Sequence, residues 1–590
     1  MHAHSLEDES VNNVTPIAIA RTPRVVDVFL DYLRAEGVRV VFGIPGGLLF
    51  PLFEAISKSS DIELVIAKHE EGAAFMADGY TRVSGRMSVC AGTGGPGSTN
   101  LLTGVACAYA DGVPMLVVTG QAASHALGKG AAQETTREDI DIVAMFAPVT
   151  KYSAMVTSPE SLGHHLRRAL RQALTGRLGP VHLNVPVDLW ERPLVEDWLT
   201  PSTYRPTTAT FDRASVARAG EALLGAELPV LLAGSGVASA NAQEHLITLA
   251  EMLPARVATT PRAKGVFPED HPLSLGVLGF AGHEAAKRTV MGGRVDVLAT
   301  LGASLNETTT FNWRPELMPS RHLIQLDIDA DRIGRNYPVD IPLVGDAQTI
   351  LVELVYHLHR AMRGGQTPRS RWPEEPPPPR GEDRYLAPDL RASDALPLTP
   401  QRWRADLLRA LPDDAVIFSD IGGHMLFNIH DLEIRRRQQF VINLGFGSMG
   451  HGTVAPIGAA LAAPERPVIA IIGDACFTMN GMELITAAEY DVPVVWIVEN
   501  NNMHGLTWHG SAMLGKRLDS VRYRRPLDIA PLARAMGLYA TVVDRPGAME
   551  DALRDALKRR GPSVIEVRVD GSIPPPLSGR VKSLAGFIRK

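Results

Sequence analysis

The sequence predicts an α/β protein of three doubly wound parallel-sheet domains, and three observations carry that expectation. Short runs rich in β-branched residues alternate with helical periods along most of the chain, the pattern of parallel strands joined by covering helices. The alternation is interrupted twice by segments rich in Pro, Thr and mixed charge. A chain of 590 residues with 45% hydrophobic content also exceeds what one core organises.

Taken in order, the start MHAHSLEDESVNN carries acids and no apolar core, so it is not expected to be a secretory signal, and residues 1–20 read as a mobile tail. Residues 21–190 form the first domain. In it VRVVFGIPGG, IELVIAK and MSVCAGTGG are strands running into turns, LLFPLFEAISKS and EEGAAFMADGYTRVSG are helices, and GPVHLNVPVDLW closes the unit. A Pro/Thr-rich connector leads to the second domain, residues 206–360, with the strands of LPVLLAGSG, VDVLATLGASLNE and HLIQLDIDADRIG. Residues 361–396 include RGGQTPRSRWPEEPPPPRGEDRY, which cannot build a core and fits an exposed linker. The third domain, residues 397–572, opens where Thr399 caps a helix and Pro400 takes its first position. It contains AVIFSDIGGH, QFVINLGFGSMGHG and IIGDACFTMNGMELITAAEYDVPVVWIVENNN. Residues 573–590 start Pro-rich and are expected to drape over the surface.

The net charge of -6 is small for this length, so neither a nucleic-acid surface nor a polybasic membrane patch is indicated, while an acidic small molecule remains compatible through local charges. Cys90, Cys107 and Cys476 are scattered, with no disulfide framework and no zinc spacing, which makes a reducing, cytoplasmic setting the expectation. No apolar run is long enough to span a bilayer.

Four stretches could carry chemistry. In KHEEGAAFMADGY, Glu70 stands where a strand gives way to a helix; taken alone, it reads more naturally as a first-turn acid favoured by the helix dipole. AGTGGPGSTN breaks a strand into closely spaced glycines, which admits a flat or anionic group near the backbone or simply makes a tight turn. SDIGGH and GFGSMGHG end two strands of the third domain with glycines before helices, a geometry suited to a diphosphate, although Met449 alone reads more naturally as core packing. In the last stretch Asp474 and Asn501 close two neighbouring parallel strands, whose carboxyl ends share one sheet edge. A carboxylate, an amide oxygen and a backbone carbonyl with a diphosphate would make a sensible magnesium site, while a helix cap and a polar loop explain the same residues.

Together these stretches resemble the thiamine diphosphate dependent enzymes of the acetolactate synthase group. Their fingerprint is Gly-Asp-Gly followed some two dozen residues on by Asn-Asn, matched here by GDA at Gly473 to Ala475 and by Asn500 and Asn501. Ala475 is a departure that some acetolactate synthases share. The resemblance also covers VFGIPGG, KHEEGAAFMADGY, GTGGPGSTN, AAQET, GPVHLNVPVDL, FPEDHPLSLG, QLDID and GSMGHG. It implies that the three domains bind the aminopyrimidine, form the centre and bind the diphosphate. It implies that Glu70 protonates the cofactor's N1′ and that Gln133 lies near the substrate. Asp474, Asn501 and the Met503 carbonyl would hold Mg2+, with His424 and the backbone around Gly422, Gly423, Gly447, Gly473, Ala475 and Cys476 at the diphosphate, and Met449 keeping the cofactor bent. It further implies a homodimer at least, with a tetramer compatible, acting on a small 2-oxo acid.

Three departures narrow the expectation. GASLNETTTFNW replaces an Arg-Phe-Asp-Asp-Arg run that helps bind FAD in amino-acid-forming members, so FAD becomes the weaker option. Ala132 stands where a Phe commonly precedes Gln133, and Trp508 lies two residues earlier than the family's specificity tryptophan. His504 and His509 then fall at the pocket rim or on the surface. The expected activity is a carboligase or decarboxylase of pyruvate or a related 2-oxo acid, passing the enamine to a carbonyl acceptor. The alternatives are a flavin-linked 2-oxo acid oxidase, a non-decarboxylating thiamine-dependent lyase and a catalytically silent cofactor-binding subunit.

Overall fold

The computed structural model describes residues 22–577 apart from 196–199, 207–208, 373–383 and 517. The N-terminal tail, the middle of the Pro-rich linker and residues 578–590 therefore lie outside the described residues. Three six-stranded sheets, all parallel, bear out the expected fold class. The first contains β1 (Val40–Gly43), β2 (Glu63–Ile66), β3 (Ser88–Gly92), β4 (Met115–Gln121), β5 (Ser153–Met155) and β6 (Pro180–Pro186), in spatial order β2-β1-β3-β4-β6-β5. The second contains β7 (Pro229–Ala233), β8 (Arg256–Thr259), β9 (Ser274–Val277), β10 (Val297–Leu301), β11 (His322–Asp327) and β12 (Ile341–Val344), ordered β12-β11-β10-β7-β8-β9. The third contains β13 (Val416–Ser419), β14 (Gln439–Ile442), β15 (Val468–Gly473), β16 (Val494–Asn500), β17 (Tyr539–Val543) and β18 (Ser563–Arg568), ordered β14-β13-β15-β16-β18-β17. Central strands such as β15, VIAIIG, are buried throughout, as expected of parallel strands covered on both faces.

The first and third sheets share a core. Helix Glu70–Ser84 packs on helix His451–Ala462, and one apolar cluster runs from Val40 through Phe75 and Val454 to Val564. Glycines let the two helices approach: a Cβ on Gly79 would overlap the Ala455 carbonyl, and one on Gly458 the Met76 carbonyl. Backbone cannot move aside as a flexible side chain does, so Gly458→Ala is expected to cost at least ~3 kcal/mol, read as a lowered denaturation midpoint; an unchanged midpoint would refute the tight crossing.

Charge fastens the same junction to the middle domain. Arg82 donates to Asp78 at 2.6 Å and to Asp111 at 2.8 Å, His451 lies 3.3 Å from Asp78, and Arg262 of the second domain reaches Asp111 at 2.6 Å. At the entry to the third domain Thr399 Oγ1 accepts from the Arg402 amide at 3.1 Å, with Pro400 in the first turn. The described ends of the Pro-rich linker are docked on the protein. Trp372 packs against the second core, and Tyr385 is buried under Arg391, whose guanidinium carbon lies 3.6 Å from the ring centre. Beyond the third sheet Leu577 is buried in that domain's core.

Candidate active site

On the first sheet the chain leaves β2 through Lys68 and His69 and turns into helix Glu70–Ser84, placing Glu70 in the first turn, 9% exposed. The turn is fixed from the third domain: Glu483 accepts from the amides of Lys68 at 2.9 Å and His69 at 2.7 Å. Glu70 Oε2 accepts from Asn100 Nδ2 at 2.9 Å. A Cβ on Gly97 would sit 3.2 Å from Oε1, so the glycine leaves that oxygen room in the loop after β3. Glu71 points instead to the third domain, accepting from Asn480 Nδ2 at 3.0 Å.

Gln133 lies over the same glycine loop. A Cβ on Gly94 would come within 2.7 Å of its carbonyl oxygen and one on Gly95 within 3.5 Å of its Cγ. Its φ of 59° is a strained, left-handed value for a non-glycine residue, and its side chain is exposed. The residue after it imposes that conformation. Glu134 accepts from the Gly128 amide at 2.6 Å, the Ala131 amide at 3.2 Å and Thr136 Oγ1 at 2.8 Å, while Gln121 at the end of β4 accepts from the Thr135 amide at 3.0 Å. The structure therefore gathers Glu70, Asn100 and Gln133 around one glycine loop.

On the third sheet the register pairs Gly473 of β15 with Glu499 of β16, which brings Asp474, one residue on, beside Asn501, two residues on. Asp474 is 2% exposed; its Oδ1 accepts from the Ala475 amide at 2.7 Å and its Oδ2 from the Asn501 amide at 3.2 Å. Burial nevertheless pushes its carboxyl up to about 7. The neighbouring asparagines do different work. Asn500 donates to Glu566 at 2.9 Å and to the Leu527 carbonyl at 2.7 Å, and Asn502, at φ 56°, accepts from the Leu527 amide at 2.7 Å. Asn501 Oδ1 accepts from the Met503 amide at 3.1 Å, and the Met503 carbonyl from the Gly505 amide at 2.9 Å.

His424 stands next to this pair. Its ring is bracketed by glycines: a Cβ on Gly422 would lie 2.7 Å from Cε1, and one on Gly473 2.9 Å from Nδ1. Burial first, with Arg404 nearby second, drops His424 to about 3, so the imidazole is neutral, and its buried Nε2 has no hydrogen-bond partner. Gly423 opens the helix that carries it. Arg404, fully buried, ties the surroundings together by donating to Glu499 at 2.7 Å, Asn428 at 2.8 Å and the His424 carbonyl at 3.2 Å. Cys476 is buried and donates its thiol to the Ile421 carbonyl at 3.3 Å, and burial raises it well above the ordinary thiol range.

Met449 is half-buried against the shared core, more open than core packing requires. Its loop turns at Gly447, φ 81°, and Gly450, φ 91°. Asp420 holds it, accepting from the Gly450 amide at 3.1 Å and Thr453 Oγ1 at 2.9 Å. Of the two rim histidines, His509 is buried, its Nε2 3.1 Å from the Gly571 carbonyl, and His504 is half-buried beside Tyr523. Neither is a free surface histidine.

The donors fit a hard divalent cation with a diphosphate: one carboxylate, one amide oxygen and one carbonyl, with the unpartnered His424 Nε2 beside them. Among the described residues no group of three or more His, Cys, Asp or Glu could hold a metal, so a zinc-type centre is not built. A cavity of about 610 Å3 lies at the strand reversal between β10 and β7, lined in part by Arg177, Arg262, Arg332 and Asp327. The segment 302–313 contributes Gly302 and Ser304 to it and no cation, which gives a flavin less to bind than an arginine-bearing run would.

Comparison with known proteins adds an independent line. Three models of the thiamine pyrophosphate enzymes match: the N-terminal TPP binding domain over residues 23–145, the central domain over 216–354 and the C-terminal TPP binding domain over 420–567. A probable acetolactate synthase large subunit of Methanocaldococcus jannaschii is 34% identical over 582 residues, covering 95% of each chain. The acetolactate synthase large subunit of Haemophilus influenzae is 32% identical, over 92% of this chain and 94% of the relative. The large subunit of Escherichia coli acetolactate synthase isozyme 1 is 29% identical, over 92% of this chain and 93% of the relative.

Proposed function

The chain belongs to the thiamine pyrophosphate enzyme family as an acetolactate synthase-like, carboligase-type transferase, and from that premise we propose that it acts on pyruvate or a related 2-oxo acid with Mg2+ as the second cofactor. The observation that supports this most is the buried Asp474 carboxylate, with no cation in salt-bridge range among the described residues, meeting Asn501 at adjacent strand ends. Asp474, Asn501 and the Met503 carbonyl would hold Mg2+, which takes few protein oxygens and fills its shell with phosphate and water.

Thiamine diphosphate supplies the electron sink that lets a 2-oxo acid lose its carboxylate carbon and the remaining unit join a carbonyl acceptor. The chain binds and orients. His424 and the amides near Gly422, Gly473, Ala475 and Cys476 would receive the diphosphate, and Met449 would pack beneath the cofactor between its two rings. Glu70, fixed by Asn100, would hold the proton at the pyrimidine N1′. Gln133 sits where the glycine loop meets solvent and so faces the incoming substrate. Two copies would complete the sites, a reading supported by apolar side chains exposed beside these elements: Phe446 at 55%, Met479 at 55% and Met482 at 63%.

A panel of 2-oxo acids incubated with protein, thiamine diphosphate and Mg2+ is expected to release carbon dioxide from pyruvate or a close analogue and to yield a carbon–carbon bonded product. Product without carbon dioxide would overturn this in favour of a non-decarboxylating lyase; cofactor binding without turnover across the panel would favour a silent subunit. One further reading, a flavin-linked oxidase with its flavin in the cavity between the first and second domains, requires a flavin band in the visible spectrum of the purified protein.

A further inference from the structure

Tyr523 lies beyond every motif so far discussed, yet the fold returns it to the strand ends. Met503 and Arg522 form an antiparallel bridge, the His504 amide donates to the Val521 carbonyl at 3.0 Å, and the Tyr523 amide donates to the Asn502 carbonyl at 3.0 Å. Tyr523 is thereby pinned to the turn that carries Asn501. Its ring packs edge-on against His504, with centroids 5.9 Å apart, and its hydroxyl is buried with no hydrogen-bond partner among the described residues.

The surroundings of that hydroxyl are Asp474, Cys476 and Thr478. A phenol is a neutral O–H near pH 7 and can donate. The Asp474 oxygens take the Ala475 and Asn501 amides and the Thr478 hydroxyl donates to the Ala475 carbonyl at 2.9 Å, and none of these groups stands in hydrogen-bond geometry to the Tyr523 hydroxyl. A buried hydroxyl without a partner is costly, and in native proteins a water, an ion or a ligand supplies one. His424 Nε2 is a second buried, unpartnered group beside the same strand end. A cation would be met by acceptors alone, whereas a donor converging on a carboxylate site points to an anion seated on that cation.

We infer that the Tyr523 hydroxyl donates a hydrogen bond to the diphosphate of the cofactor and so makes the segment after Asn501 part of the diphosphate pocket. The inference rests on the thiamine diphosphate reading of the site. The test titrates the metal-loaded protein and Tyr523→Phe with thiamine diphosphate, inorganic diphosphate and thiamine, each followed by tryptophan fluorescence. The variant is expected to bind thiamine diphosphate and inorganic diphosphate about tenfold more weakly and thiamine equally well, with the denaturation midpoint of the cofactor-free protein unchanged or raised. Equal affinity of both proteins for the two diphosphates, or a similar loss for thiamine, would overturn the inference while leaving the proposed function standing. A wild-type protein that binds none of the three would overturn both.

Discussion

Replacing Glu70 by glutamine is expected to lower turnover by roughly two to four orders of magnitude at saturating cofactor, the range over which a positioned acid or base acts. The substitution isolates charge from shape. In the wild type Asn100 Nδ2 donates to one Glu70 oxygen at 2.9 Å, and a glutamine turned with its carbonyl toward Asn100 keeps that bond. The other oxygen, beside Gly97, would become an amide nitrogen unable to receive and hold a proton. Loss of a first-turn acid from the helix dipole costs only about 0.3–1 kcal/mol, so the folded protein should survive with a slightly lowered midpoint. Turnover near the wild-type rate, with the fold intact, would leave Glu70 as a helix-terminal acid and nothing more.

How much of this was legible beforehand depends on the range of the interaction. The meeting of Asp474 and Asn501 was, because parallel strands joined by a helix must present their carboxyl ends together and the register of β15 and β16 obliges. The Thr399 cap and Pro400 were too, since both act within one turn. Glu483 was not: it fixes the approach to Glu70 from more than 400 residues away, and periodicity marks a buried face without saying which partner fills it. The same holds for Arg404 behind His424 and for Asp420 behind Met449, both polar and both buried, residues that a hydrophobic pattern assigns to the surface. Asn100 closes the glycine loop AGTGGPGSTN, where the glycines are the more conspicuous signal. One available signal was that AGTGGPGSTN ends on a side chain able to donate to an acid.

Asp474→Asn is expected to separate function from stability. The amide removes the single carboxylate of the proposed cation site, and Mg2+-dependent binding of thiamine diphosphate should weaken by roughly 100-fold or more. The cofactor-free protein should become more stable, because its folded state holds a buried carboxylate that lacks a counter-charge. The direction with pH follows from linkage. The folded Asp474 carboxyl titrates at about 7, the unfolded one near 3.8, so between these values the folded state binds more protons. This group's stabilising contribution is full below the unfolded value and is lost as pH rises toward 7. In the cofactor-free wild type that loss is worth roughly 2–4 kcal/mol across the window, and Asp474→Asn should flatten it. Mg2+ with thiamine diphosphate should reverse the slope in the wild type, because the bound cation favours the ionised carboxylate, and should leave the asparagine variant unaffected. Denaturation midpoints measured from pH 4 to pH 8, with and without the cofactors, would decide it: parallel profiles for the two proteins would show that Asp474 is not the residue on which the cation depends.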